Sequence, residues 1–203
     1  MRRRAGIVAI LALLAAMLPG TVQAHPHVFI NNVTGVVFEQ GRVVALRMEW
    51  DFDEVFSMLI LEDFDKNRDK RFDAAELKTL EEGAFSNLRF LSYFTHIRIG
   101  KDATAPKPVE HVEGFNATVK KGIVHYTFTV PLETPVDPRE TPFAFSVYDD
   151  SFYVAVDFDK HDPVRVGGSG SEGCHYAIGE DKENPIYFGM VFPLRVELRC
   201  AAS

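Results

Sequence analysis

Apolar and polar positions change their period several times along this 203-residue chain. Val28 to Phe38 reads as a β-strand, Glu39-Gln40-Gly41-Arg42 as a turn, and Val43 to Trp50 as the returning arm of a hairpin. Helical spacing begins near Asp53 or Glu54. Phe56, Leu59, Ile60 and Phe64 recur at helical intervals, and Leu77, Leu80, Ala84 and Leu88 do so again. Leu88, Leu91 and Phe94 extend the second pattern, which predicts a pair of helices over about 54–92.

Strand patterns follow. Thr95 to Gly100 is the first, and a polar, proline-containing loop runs from Lys101 to Pro108. Val109 to Lys120, Ile123 to Leu132, Phe143 to Asp149, Phe152 to Phe158 and Leu194 to Cys200 read as further strands. Pro131, Pro135, Pro138 and Pro142 stiffen one connection, and Gly167 to Gly173 reads as a flexible Gly/Ser loop. Many short strands at turn spacing predict an α+β fold. It is mainly an antiparallel β-sandwich with an inserted EF-hand-like helix-loop-helix.

The segment between the two helical patterns carries the clearest chemistry. Asp65-Lys66-Asn67-Arg68-Asp69-Lys70-Arg71-Phe72-Asp73-Ala74-Ala75-Glu76 places side-chain oxygens at loop positions 1, 3, 5, 9 and 12. Calcium takes six to eight oxygen ligands, and an EF-hand loop supplies them from these positions plus a backbone carbonyl at position 7. The expected ligands are Asp65, Asn67, Asp69, the Arg71 carbonyl, Asp73 through a water, and Glu76. Position 6, where a glycine normally makes the sharp turn, is Lys70. A left-handed backbone there costs on the order of 1–2 kcal/mol. Lys66, Arg68, Lys70 and Arg71 also offset the carboxylates. Calcium affinity is therefore expected at the weak end, around 10⁻⁴–10⁻³ M. The alternative is a loop that keeps the helix-loop-helix shape without metal.

The start of the chain changes the compartment. Arg2 to Arg4, the apolar run Ala5 to Leu18, the Pro19-Gly20 break and Val22-Gln23-Ala24 form a secretory signal pattern over residues 1–24. The apolar run is too short to span a bilayer. A periplasmic or secreted protein that is not membrane-embedded is expected, with 25–203 as a single domain. Without the signal, 179 residues remain, with 19 Lys and Arg against 29 Asp and Glu and a formal net charge of −10. This balance disfavours nucleic acid, which needs basic surfaces, and suits cations. Cys174 and Cys200 are the only cysteines. In an oxidising compartment they read as one disulfide worth roughly 3 kcal/mol; the alternative is a soft metal site.

Cleavage after Ala24 makes His25-Pro26-His27 the N-terminus. The free α-amine with His25 and His27 forms a candidate transition-metal site, for nickel, cobalt, copper or zinc. Pro26 has no N–H and cannot provide a deprotonated amide ligand. Asp157, Asp159 and His161 share one face of a predicted strand and are candidate additional ligands; a solvated strand end is the plainer reading. His96, His111, His125 and His175 have no partners in sequence. Gly168-Ser169-Gly170-Ser171-Glu172-Gly173 matches G-x-G-x-x-G but opens no helix, so it is not a nucleotide site.

His25-Pro26-His27-Val28-Phe29-Ile30, Trp50-Asp51-Phe52-Asp53-Glu54-Val55-Phe56, the 65–76 loop and Tyr148-Asp149-Asp150-Ser151-Phe152-Tyr153-Val154-Ala155 occur in that order, with the late cysteine pair. This series resembles an uncharacterised bacterial family, a domain of unknown function described as the periplasmic component of an ABC-type transport system. Genes of that family often neighbour nickel/cobalt-type exporters. The resemblance implies a periplasmic role near metal transport, with an inner-membrane metal transporter as partner. The resulting expectation is a non-enzymatic metal-binding accessory protein with an EF-hand-like calcium site. The alternatives are a structural or interaction protein stabilised by calcium, and an N-terminal-histidine metalloenzyme.

Overall fold

The computed structural model describes residues 26–101 and 105–201. The signal segment and His25 lie outside the described residues. The first two strands, β1 (Val28–Glu39) and β2 (Arg42–Phe52), form the predicted hairpin. Its turn has positive φ at both Gln40 (50°) and Gly41 (79°), the handedness that matches strand twist. β1 buries alternate residues with period two, so Val28, Ile30, Val36 and Phe38 face the core.

The chain continues through helix α1 (Glu54–Phe64), a loop, helix α2 (Ala74–Gly83) and a 3-10 segment (Phe85–Phe94). The remaining strands are β3 (Thr95–Ile99), β4 (Glu113–Lys120), β5 (Ile123–Val136), β6 (Phe143–Val147), β7 (Val154–Phe158), β8 (Val164–Gly168), β9 (Cys174–Glu180) and β10 (Leu194–Cys200). One sheet runs β4-β5-β2-β1-β7, with β8 also on β1; the other runs β3-β6-β10-β9. The chain is thus mostly β, with apolar residues of both sheets and the helices in one buried cluster.

Four expectations need correction. The sheets are not all antiparallel: β7 pairs in parallel with the first half of β1 and β8 with its second half. The second helix does not reach residue 92. It ends at Gly83, and the chain tightens into 3-10 turns that drive Phe85 and Phe94 into the core. The strand expected from Val109 starts at Glu113. The Gly167–Gly173 segment is no loose linker, because Gly167 and Gly168 finish β8 and Gly170 lies on the β1–β2 turn. A Cβ at Gly168 would sit 2.1 Å from the Phe38 carbonyl oxygen. The Arg139 guanidinium fixes this layer by donating to the carbonyls of Gly41, Gly170 and Glu172.

A buried hydroxyl ties helix α1 to β5 of the larger sheet. Ser57, fully buried, accepts from the Val124 N–H of β5 at 3.0 Å. Cys174 and Cys200 are register partners on β9 and β10 and form a disulfide. It closes the end of the β9–β10 ladder opposite its connecting loop, and the soft-metal alternative for these sulfurs falls away.

Candidate functional site

The loop between α1 and α2 is built by its own carboxylates. Asp53 begins α1 by accepting from the Phe56 N–H, and its second oxygen accepts from the Phe29 N–H of β1. This fixes the helix against the hairpin. Asp73 begins α2, accepting from Ala75 and Glu76, while Glu76 returns a bond to the Asp73 N–H. That reciprocal box satisfies orphan amides of the helix start.

Within the loop, Asp65 accepts from the Asp69 N–H at 3.1 Å and the Lys70 N–H at 2.9 Å. Asn67 Oδ1 accepts from Asp69, and Asp69 Oδ1 accepts from Arg71. Glu76 Oε1 crosses the loop to the N–H groups of Lys66 and Asn67, at 2.8 and 3.3 Å. Lys70 has φ of 61° and Arg68 φ of 62°. The left-handed turn expected at position 6 is therefore present on a lysine. Phe72 packs against the core cluster.

Burial and charge single out two of these groups. Asp65 is 5% exposed and Glu76 8% exposed. Among the described residues, neither forms a salt bridge, nor do Asp69 and Asp73, although four basic residues share the loop. Burying an unpaired carboxylate is costly, and such groups are normally matched by a cation or a metal. The hydrogen bonds leave lone pairs on both carboxylates, since each has about four acceptor sites. The donor set is all oxygen, as a hard cation requires. The oxygens are not gathered in advance: among the described residues no three His, Cys, Asp or Glu side chains form a ready metal cluster.

Of the second predicted site, His25 lies outside the described residues; His27 and the candidate additional ligands are placed as follows. His27 donates its N–H to the Tyr153 carbonyl at 2.9 Å, and its ring lies 4.8 Å from the Tyr153 ring. Asp157 pairs with Asn31, four residues along β1 from His27, which is roughly 13 Å in an extended strand. Asp159 is committed elsewhere. The Asn31 amide first, then the N–H groups of His161 and Asp162, hold its carboxyl down at about 2. His161 is exposed beside it.

Two polar groupings escaped the sequence reading. His125 on β5 pairs through Nδ1 with Asp51 on β2, its direct cross-strand neighbour. Strand register alone brings them together, so a sequence pairing of these two strands reveals the contact. Arg98 and Asp181, 7% and 2% exposed, form a buried ion pair between β3 and the turn after β9, joined by Arg195 of β10. β3 is buried at four consecutive residues, Thr95 to Arg98, so strand alternation gives no sign of the buried Arg98, and nothing near it in sequence points to Asp181.

Comparison with known proteins gives the relationship of the whole fold. A family model described as protein of unknown function (DUF1007) matches residues 10–190. The chain belongs to this family. It is 37% identical over 136 residues to an uncharacterized 15.5 kDa protein in the trpE 3' region of Spirochaeta aurantia, covering 64% of this chain and 91% of that protein. It is 28% identical over 149 residues to an uncharacterized protein of Haemophilus influenzae, covering 72% and 68% respectively. The DUF1007 match spans the hairpin, both helices, the loop between them and the strands through β9.

Proposed function

We propose that this DUF1007 protein is an exported, non-enzymatic calcium-binding module, and that the loop 65–76 is an EF-hand site. The observation that carries the reading is the pair Asp65 and Glu76, buried carboxylates at opposite ends of the loop with no basic partner among the described residues. A calcium ion supplies the missing positive charge. Asp65, Asn67, Asp69 and Glu76 would hold it with the Arg71 carbonyl, and Asp73 through a water. The left-handed φ at Lys70 supports the same reading, because that turn folds the first half of the loop inward.

Binding requires the carboxylates to leave backbone N–H groups for the ion. This lowers affinity, which suits an extracytoplasmic compartment where calcium is abundant. The resemblance drawn from the sequence extends this to an accessory role beside an inner-membrane metal transporter. In that role calcium would fix the helix pair against the sheet. Calorimetric titration of the exported, processed protein tests the site. The expected result is one calcium per chain with a dissociation constant around 10⁻⁴–10⁻³ M, abolished by Asp65→Ala and by Glu76→Gln. No heat in the wild type, or unchanged binding in both variants, would show that the loop is structural only.

A further inference from the structure

Beneath the helix pair lies a cavity of about 390 Å³ that the calcium loop does not use. Its floor is Ile30, Trp50 and Tyr126 of the larger sheet; its walls include Phe64 of α1 and Phe85 of the 3-10 segment. Asp63 is the one charged residue lining it, and exposed Asp63 and half-exposed Leu59 mark its mouth. This volume falls within the range of small-molecule pockets, roughly 300–1,000 Å³, which are mostly apolar with a few placed polar groups.

Tyr126 supplies the placed polar group. The residue is 4% exposed, and its ring is held by the rings of Phe52 and Phe115 at 4.7 and 5.0 Å. Its hydroxyl has no hydrogen-bond partner among the described residues, so burial alone pushes its pKa up and keeps it protonated. A buried tyrosine hydroxyl normally finds a partner. The Tyr126 hydroxyl is not among the fully enclosed unpaired polar atoms of the described residues, and Tyr126 lines the cavity, so the open space it meets is the cavity.

We propose that this cavity binds a neutral, largely apolar small molecule carrying one hydrogen-bond acceptor, with the Tyr126 hydroxyl donating to that acceptor. The apolar lining selects the body of the ligand. Asp63 at the mouth and the acidic mature chain disfavour anionic ligands such as free carboxylates. The site stands independently of calcium binding in the loop.

Prodan, a neutral naphthyl ketone whose emission shifts to the blue in apolar surroundings, is a suitable probe. With the exported, processed protein and calcium held constant, saturable blue-shifted emission at one probe per chain is expected. Tyr126→Phe should fold normally, melt close to the wild-type temperature because the hydroxyl bonds no other residue among those described, and bind about fivefold more weakly. Ala84→Trp should fill the cavity and abolish binding, with far-ultraviolet dichroism confirming its fold. Phe188→Ser, at the most exposed aromatic on the surface, should leave binding unchanged. Absence of saturable binding overturns the proposal, as does equal affinity in wild type, Tyr126→Phe and Ala84→Trp. Loss of binding in Phe188→Ser with retention in Ala84→Trp overturns it too, by placing the probe on the outer surface.

Discussion

Glu76 Oε1 accepts from the Lys66 N–H at 2.8 Å, a bond that joins the last position of the 65–76 loop to the second. The same carboxylate caps α2 through the Asp73 N–H at 3.1 Å. One side chain thus closes the loop from both ends, while Asp65 anchors its middle through the Lys70 N–H. With Asn67 and Asp69 these acceptors hold the turn, and among the described residues the loop's basic side chains pair with none of its carboxylates. That leaves two buried negative groups for which a cation is the natural counterpart.

Lys70 adopts φ of 61° where glycine would sit without steric cost. Lys70→Gly is expected to raise stability without calcium by up to about 1–2 kcal/mol, the penalty of a left-handed side chain. Because the turn is already left-handed without the ion, calcium affinity should change little. Calorimetric titration and a denaturant melt check both. A glycine variant no more stable than wild type would show that the turn carries no such strain.

The Cys174–Cys200 bond fastens the open end of the β9–β10 ladder. Thiol counting on denatured, exported protein should find no free thiol. The double variant Cys174→Ser, Cys200→Ser should lose about 2–4 kcal/mol in urea unfolding. A loss below about 0.5 kcal/mol would mean that the ladder needs no covalent closure.

Legibility from the sequence divides along a physical line. The hairpin turn at Gln40-Gly41, the helix-loop-helix spacing and the Cys174–Cys200 pair were readable because local residue types decide them. The parallel docking of β7 and β8 on β1 was not, since it depends on contacts more than a hundred residues apart. Gly168 is the instructive case. In sequence it sits in a Gly/Ser run that suggests slack; in the fold it is a glycine because Phe38 backbone occupies the place of a Cβ. The run of oxygen-bearing side chains in the 65–76 loop was likewise local and legible. The Asp51–His125 pair and the cavity at Tyr126 arise from register and layer packing, which composition does not encode.

His96 gives the fold a pH dependence of known sign. Burial lowers its pKa; the Tyr148 carbonyl, Asp150 and Asp149 pull the other way, and Arg98 adds to the lowering. Its ring stacks 3.7 Å from that of Tyr148 with Nε2 3.0 Å from the Tyr148 carbonyl oxygen. The unfolded chain therefore takes up this proton first. The contribution is complete above the ordinary value of about 6.5 and is lost as pH falls through it. Denaturant midpoints between pH 7.5 and 5 should fall more steeply for wild type than for His96→Gln. Parallel curves would assign the slope to other groups.

The most direct test of calcium binding at Asp65 and Glu76 is thermal melting of the exported, processed protein in millimolar calcium and in chelator. A ligand that binds only the folded state adds about 1.4 kcal/mol at ten times its dissociation constant. For a domain of this size that is a rise of roughly 3–5 °C. Wild type should show the rise, and Asp65→Ala and Glu76→Gln should show none. A wild-type midpoint that ignores calcium, or a rise of equal size in both variants, would contradict a calcium site in this loop.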